Sequence, residues 1–88
     1  MIRRHIVFTG RVQGVGFRYR ARHAAALFDC TGWVRNEWDG SVTMEIQGAP
    51  EDIERVIQAI QAGRWVEIEG MDSRQIPIQD EREFITEH

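Results

Sequence analysis

Gly10-Arg11-Val12-Gln13-Gly14-Val15-Gly16-Phe17-Arg18 runs from an apolar alternating segment straight into a helical pattern, with glycines where the chain must bend. Glycine lets a backbone turn tightly and approach a ligand. Successive amide N–H groups and a helix N-terminus then create one spot of positive potential. The backbone amides of Gln13, Gly14, Val15, Gly16 and Phe17 are therefore a candidate anion cradle. Arg18, at the start of the helical pattern, carries a planar fork that grips two phosphoryl oxygens at once, which an ammonium cannot do. Asn36 is the second candidate, because its carboxamide both donates and accepts. Such groups can bind phosphoryl oxygens and hold a water in line, which suffices when the leaving group departs without a protein acid. A carboxylic–phosphoric anhydride has such a leaving group, a carboxylate whose conjugate acid has a pKa of about 4 to 5.

These residues need a scaffold that brings them together. Ile2, Ile6 and Phe8 alternate with Arg3, Val7 and Thr9, which predicts a first strand ending at Gly10. Phe17, Ala21, Ala24, Ala25 and Phe28 recur at helical spacing as the buried face of a first helix. Thr31 to Glu37 reads as a second strand, and Asp39-Gly40 signals a turn before Val42, Met44 and Ile46 alternate in a third. Pro50, Glu51 and Asp52 open a second helix with Ile53, Val56, Ile57 and Ile60 as its apolar stripe, ended by Gly63. Val66 to Glu69 begins a fourth strand, and Arg82 to Thr86 is a candidate short fifth.

The order β-α-β-β-α-β fits an α+β, ferredoxin-like two-layer sandwich with an antiparallel sheet ordered 4-1-3-2 and both helices on one face. In that topology the C-terminal ends of the first and second strands lie at the same end of the sheet. Arg18 and Asn36 would then address one ligand.

The run GRVQGVGFR, followed by Gly32-Trp33-Val34-Arg35-Asn36, by Asp39-Gly40-Ser41-Val42 and by Gly48, resembles the acylphosphatase family in order and spacing across residues 5 to 62. The resemblance implies hydrolysis of acyl phosphates to carboxylate and inorganic phosphate without metal or other cofactor. It also implies that Arg18 binds the phosphate and Asn36 orients the attacking water. The last third departs from the family. Gly63-Arg64-Trp65-Val66 and Phe84-Ile85-Thr86-Glu87-His88 stand where many members have a G-P-rich approach to the fourth strand, and F-x-I followed by a basic residue and Tyr.

Charge and composition narrow the partners. Met1 to Phe28 holds Arg3, Arg4, Arg11, Arg18, Arg20 and Arg22 and no acid, whereas the remainder is acidic and the net charge is -3. A basic beginning attracts an anionic ligand, and a solvated helix face accounts for Arg20 and Arg22. The chain has no Lys, which excludes a P-loop nucleotidase and Schiff-base chemistry. Ser41 and Ser73 lack a motif-placed His and acid, and lone Cys30 reads as a small buried hydrophobe. His5, His23 and His88 show no ligand spacing.

The 88 residues, 42% hydrophobic and 28% charged, predict one small globular domain. With no membrane span or signal-peptide core, the chain reads as a cytoplasmic monomer acting on a small molecule. An RNA-binding module of the same fold, or a small-anion-binding domain without turnover, is the alternative. The sequence lacks the aromatic run that RNA stacking uses and is acidic overall, with Trp33 and Trp38 read as packing or rim residues. These features favour the enzyme over a nucleic-acid partner.

Overall fold

Apolar residues at period two in the strands and at period three to four in the helices meet in one core. The computed structural model describes residues 1–88 as β1 (Ile2–Arg11), α1 (Phe17–Leu27), β2 (Thr31–Asn36), β3 (Val42–Gly48), α2 (Pro50–Gln61), β4 (Glu67–Ile76) and β5 (Phe84–Glu87). Ile6 and Phe8 of β1, Val34 of β2 and Met44 and Ile46 of β3 share that core with Phe17, Ala21, Ala24 and Ala25 of α1. Ile53, Val56, Ile57 and Ile60 of α2 complete it. Both helices therefore cover one face of the sheet.

The sheet order is β4-β1-β3-β2-β5. The first four strands keep the expected order, and all their pairings are antiparallel. β5, for which no orientation was expected, lies parallel to β2 with Gly32 opposite Phe84. It also begins two residues later than Arg82, and Phe84 is its buried anchor. β4 continues past Gly70 to Ile76, following β1 along its whole length. It is an edge strand with little buried surface, so main-chain pairing rather than apolar alternation defines it.

The turn between β2 and β3 is built by Asp39, whose Oδ1 accepts from the Ser41 amide (3.0 Å) and hydroxyl (2.6 Å). The Glu37 amide closes it by donating to the Ser41 carbonyl at 2.9 Å.

The face away from the helices is not wholly open to solvent. Arg3 is fully buried there. Its Nε donates to Glu45 Oε1 at 3.1 Å, and its Nη1 bonds Gln47 and Glu81. The segment after β4 lies across this face, since Gln47 and Gln79 exchange two hydrogen bonds of 2.8 Å each. Glu45 also receives His5 Nδ1 at 2.7 Å. Burial acts to raise the Glu45 carboxyl, but hydrogen bonds from His5 and Arg3 and the Arg3 charge outweigh it and hold it below the usual carboxylate range.

Arg3→Met should therefore lower unfolding stability at neutral pH by about 2 to 3 kcal/mol, somewhat less than a fully buried broken pair because Glu45 and Glu81 reach solvent. A depressed folded-state carboxyl contributes stability above its unfolded pKa and loses it as pH falls through the folded value. Urea unfolding should consequently show the gap between parent and variant shrinking from neutral to acid pH. An equal gap at both pH values would contradict the role given to Glu45.

Candidate active site

The loop of residues 12–16 leaves the end of β1 and is pinned on both sides. Phe17 packs edge-on against Phe8, with ring centroids 4.9 Å apart, which seats the start of α1 on the sheet. Gln13 donates through Nε2 to the carbonyls of Glu37 (2.7 Å) and Ser41 (2.9 Å), fastening the loop to the β2–β3 turn. Between these anchors Gly14 and Gly16 adopt φ of 71° and 81°, and a Cβ at either position would meet nothing within 4 Å. The left-handed backbone calls for glycine, and the space beside it is open to a ligand.

The two helix starts differ in a way that matters for charge. α2 begins with Pro50 and has Glu51 and Asp52 in its first turn. α1 begins from Gly16 with no side-chain cap and no acid in its first turn. Its N-terminal partial positive charge is thus left for an external anion.

Val12, Gly14, Gly16, Phe17, Arg18, Tyr19 and Asn36 line a recess of about 200 Å³ at this point. Arg18 makes no ion pair, unlike Arg3, Arg35 and Arg55. Its Nη1 donates instead to the Glu87 carbonyl of β5 at 3.3 Å, which steadies the guanidinium and leaves its other donors for a ligand. Asn36 closes β2, and its Oδ1 is buried without a hydrogen-bond partner. A buried unpaired acceptor is costly, on the order of 1–3 kcal/mol. An atom kept in that state marks a place where something else supplies the donor.

Of the residues singled out from sequence, Gly14, Gly16, Phe17, Arg18 and Asn36 come together in the recess. Gln13 and Val15 do not line it. The Gln13 side chain is the clamp just described, and Val15 packs against the core. Val12 and Tyr19 line the recess without having been singled out. Tyr19 stands 61% exposed beside Arg18 and stacks on His23 at 4.1 Å, the i, i+4 neighbour on the same helix face. The Glu87 carbonyl was invisible to a reading of side chains. The sequence set the unusual C-terminus apart from Arg18, whereas the structure joins them.

The acids flanking the site are held ionised. Hydrogen bonds from Thr43 and then Arg35 lower the Glu37 carboxyl, and those from Ser41 lower that of Asp39. Cys30 is buried, and burial, then the charges of Asp52 and Asp29, push its thiol up to about 11, so it is a packing residue and a poor nucleophile. Arg20, expected on a solvated face, donates to the Ala59 carbonyl at 3.3 Å and ties α1 to α2. Trp33 is covered by the Arg35 guanidinium, 4.8 Å from its ring centre.

The chain has close relatives among known proteins. A family model for acylphosphatase matches residues 4–86. The acylphosphatase of Bifidobacterium longum is 43% identical over 82 residues, covering 92% of this chain and 84% of the relative. That of Geobacillus thermodenitrificans is 41% identical over 86 residues, covering 96% and 92%. The crystal structure of acylphosphatase from Bacillus subtilis superposes with a TM-score of 0.92 at 27% identity, covering the whole of both chains. The glycine loop, the open helix start and the arginine and asparagine facing one recess thus recur in a chain that matches this family almost end to end, and the chain belongs to the acylphosphatase family.

Proposed function

We propose that residues 1–88 form one catalytic domain that hydrolyses the carboxyl–phosphate bond of small acyl phosphates in the recess between α1 and β2. The observation that carries this proposal is the unpartnered, buried Asn36 Oδ1 sharing a recess with an arginine that no carboxylate neutralises. The amides from Gly14 into the first turn of α1, with the Arg18 guanidinium, bind the phosphoryl oxygens. Their donors grow more valuable as charge develops there in the transition state. Asn36 Oδ1 accepts a hydrogen bond from the attacking water and so turns the water's lone pair toward phosphorus.

The new bond joins the water oxygen to phosphorus, and the bond from phosphorus to the acyl oxygen breaks. The electron pair leaves with the carboxylate, and the water's protons remain with the phosphate and solvent. No general acid is required for so weakly basic a leaving group. The Gln13 and Val15 amides belong to the cradle, and the Gln13 side chain ties loop to turn. The site works without a metal, since its groups are N–H donors and a carboxamide suited to an anion. The working form is a monomer in the cytoplasm with no nucleic-acid partner. The covered Trp33 ring and the acidic remainder of the chain support that choice over base stacking.

Hydrolysis of acetyl phosphate should survive excess chelator, and activity that required a divalent ion would contradict the mechanism. Arg18→Ala should lower kcat/KM by about 10²-fold or more and weaken binding of inorganic phosphate, with Arg18→Lys restoring little because the fork is lost. Asn36→Ala should behave differently. Phosphate affinity and thermal midpoint should stay near the parent while kcat falls by about 10² to 10³. Asn36→Asp adds negative charge beside an anionic substrate and should weaken phosphate binding as well. A lowered midpoint with near-parental kcat in Asn36→Ala would reduce Asn36 to a turn-capping residue.

A further inference from the structure

α1 is apolar beyond the face it gives to the core. Leu27 is 77% exposed, and Tyr19 is exposed at the other end of the helix. Together with His23, Phe28 and Ala59 these residues line an open, mostly apolar groove of about 830 Å³ beside α1 and α2. That volume lies in the range of small-molecule sites, and exposed apolar surface of this kind is normally matched to something. With a rise of 1.5 Å per residue, the 11 residues of α1 give the groove a length of about 16 Å.

The groove adjoins the candidate active site, because Gly16 and Tyr19 line both. Its direction also matters. In phosphoryl transfer the attacking and leaving oxygens are roughly in line. With the water at Asn36, the acyl group must leave on the side of the recess away from β2. No residue of β2 lines the groove, which runs from Gly16 along α1 toward Phe28. The only charged side chain among its walls is Arg20, whose guanidinium donates to the Ala59 carbonyl.

From this geometry, and resting on the hydrolase reading above, we infer that the groove binds the acyl group of the substrate and selects acyl phosphates carrying an apolar chain of several carbons. Full burial of a methylene is worth about fourfold in affinity, so contact with one open wall gives about twofold each. A chain of eight carbons should then be preferred over two by tenfold or more.

The experiment compares kcat/KM for acetyl and octanoyl phosphate, below the micellar concentration, in the parent, Ala59→Gln and Leu27→Ser. Ala59→Gln places a polar side chain in the groove wall, and Leu27→Ser trims its far end. The parent should favour octanoyl phosphate tenfold or more. Each variant should cut that ratio at least threefold, with acetyl phosphate turnover within twofold of the parent because a two-carbon group ends short of both positions. Calorimetric affinities for octylphosphonate and methylphosphonate should show the same preference and the same loss. Equal use of the two acyl phosphates by the parent, or variants that depress both alike, would overturn the inference. So would a dimer in sedimentation that Leu27→Ser dissociates, since a second copy would then occupy the groove. A parent inactive on both substrates would refute the hydrolase reading, and the phosphonate affinities would still decide the groove for themselves.

Discussion

Everything at the candidate site depends on β1 and β2 running in the same direction with β3 antiparallel between them. That arrangement brings the chain out of β1 and out of β2 at the same end of the sheet, so a loop at residues 12–16 and a side chain at 36 become neighbours. Main-chain ladders alone place them only coarsely. The finer adjustment comes from Phe17 on Phe8, which fixes where α1 begins, and from the two bonds of Gln13, which tie the loop to the turn that follows Asn36. The phosphate loop and the asparagine are thus fastened to each other as well as to the sheet. Preorganisation of this kind lets donors stabilise developing charge without first having to reorient.

Electrostatics explain why one arginine among many is special. Six arginines precede the first acid in the sequence, and the fold engages three of them, Arg3, Arg4 and Arg20, away from the recess. Arg3 is buried against Glu45 and Glu81, Arg4 bonds the Ser73 hydroxyl at 2.6 Å, and Arg20 bonds a carbonyl of α2. Arg18 has only a neutral carbonyl as partner and stands over an uncapped helix start. The potential at the recess therefore comes from a guanidinium and a helix terminus acting together. It does not come from a diffuse basic surface of the kind that binds nucleic-acid backbones.

The parts of this arrangement that were legible in the sequence are those in which side-chain type and backbone geometry constrain each other. The glycines of the loop, Asp39-Gly40 in the turn and the apolar stripe of α2 each force a local structure, and their order gave the four-strand topology. Strand β4 beyond Gly70 and the parallel pairing of β5 were harder to see, because main-chain hydrogen bonding makes them and their exposed residues carry no strong period. The burial of Arg3 was hidden for a related reason. Alternation tells which face of a strand a residue occupies, but an irregular segment around Gln79 and Glu81 buries part of the face that alternation marks as solvent. At the site, Arg18 and Asn36 were visible as chemistry. The clamp role of Gln13 and the carbonyl of Glu87 depended on long-range placement.

The site also carries an energetic signature that ordinary loops lack. A loop selected for stability alone would cap α1 with a side-chain oxygen and give Asn36 Oδ1 a donor. Here the cap position is a glycine in a left-handed conformation, and the buried acceptor is unpaired. The unpaired acceptor forgoes about 1 to 3 kcal/mol, and the glycine cap only about a few tenths of a kcal/mol. The surrounding structure sustains both through contacts made behind the recess lining, namely the packing of Phe17 on Phe8, the Gln13 bonds and the bridge from Arg20 to α2. Local deficits at one small concavity, supported by interactions outside it, are expected where binding of an anion and a water replaces the missing partners. The same logic separates the recess from the adjoining groove. The recess has unmet polar groups that call for charge and hydrogen bonds, whereas the groove presents carbon surface that calls for burial, and an acyl phosphate supplies the two in a single molecule.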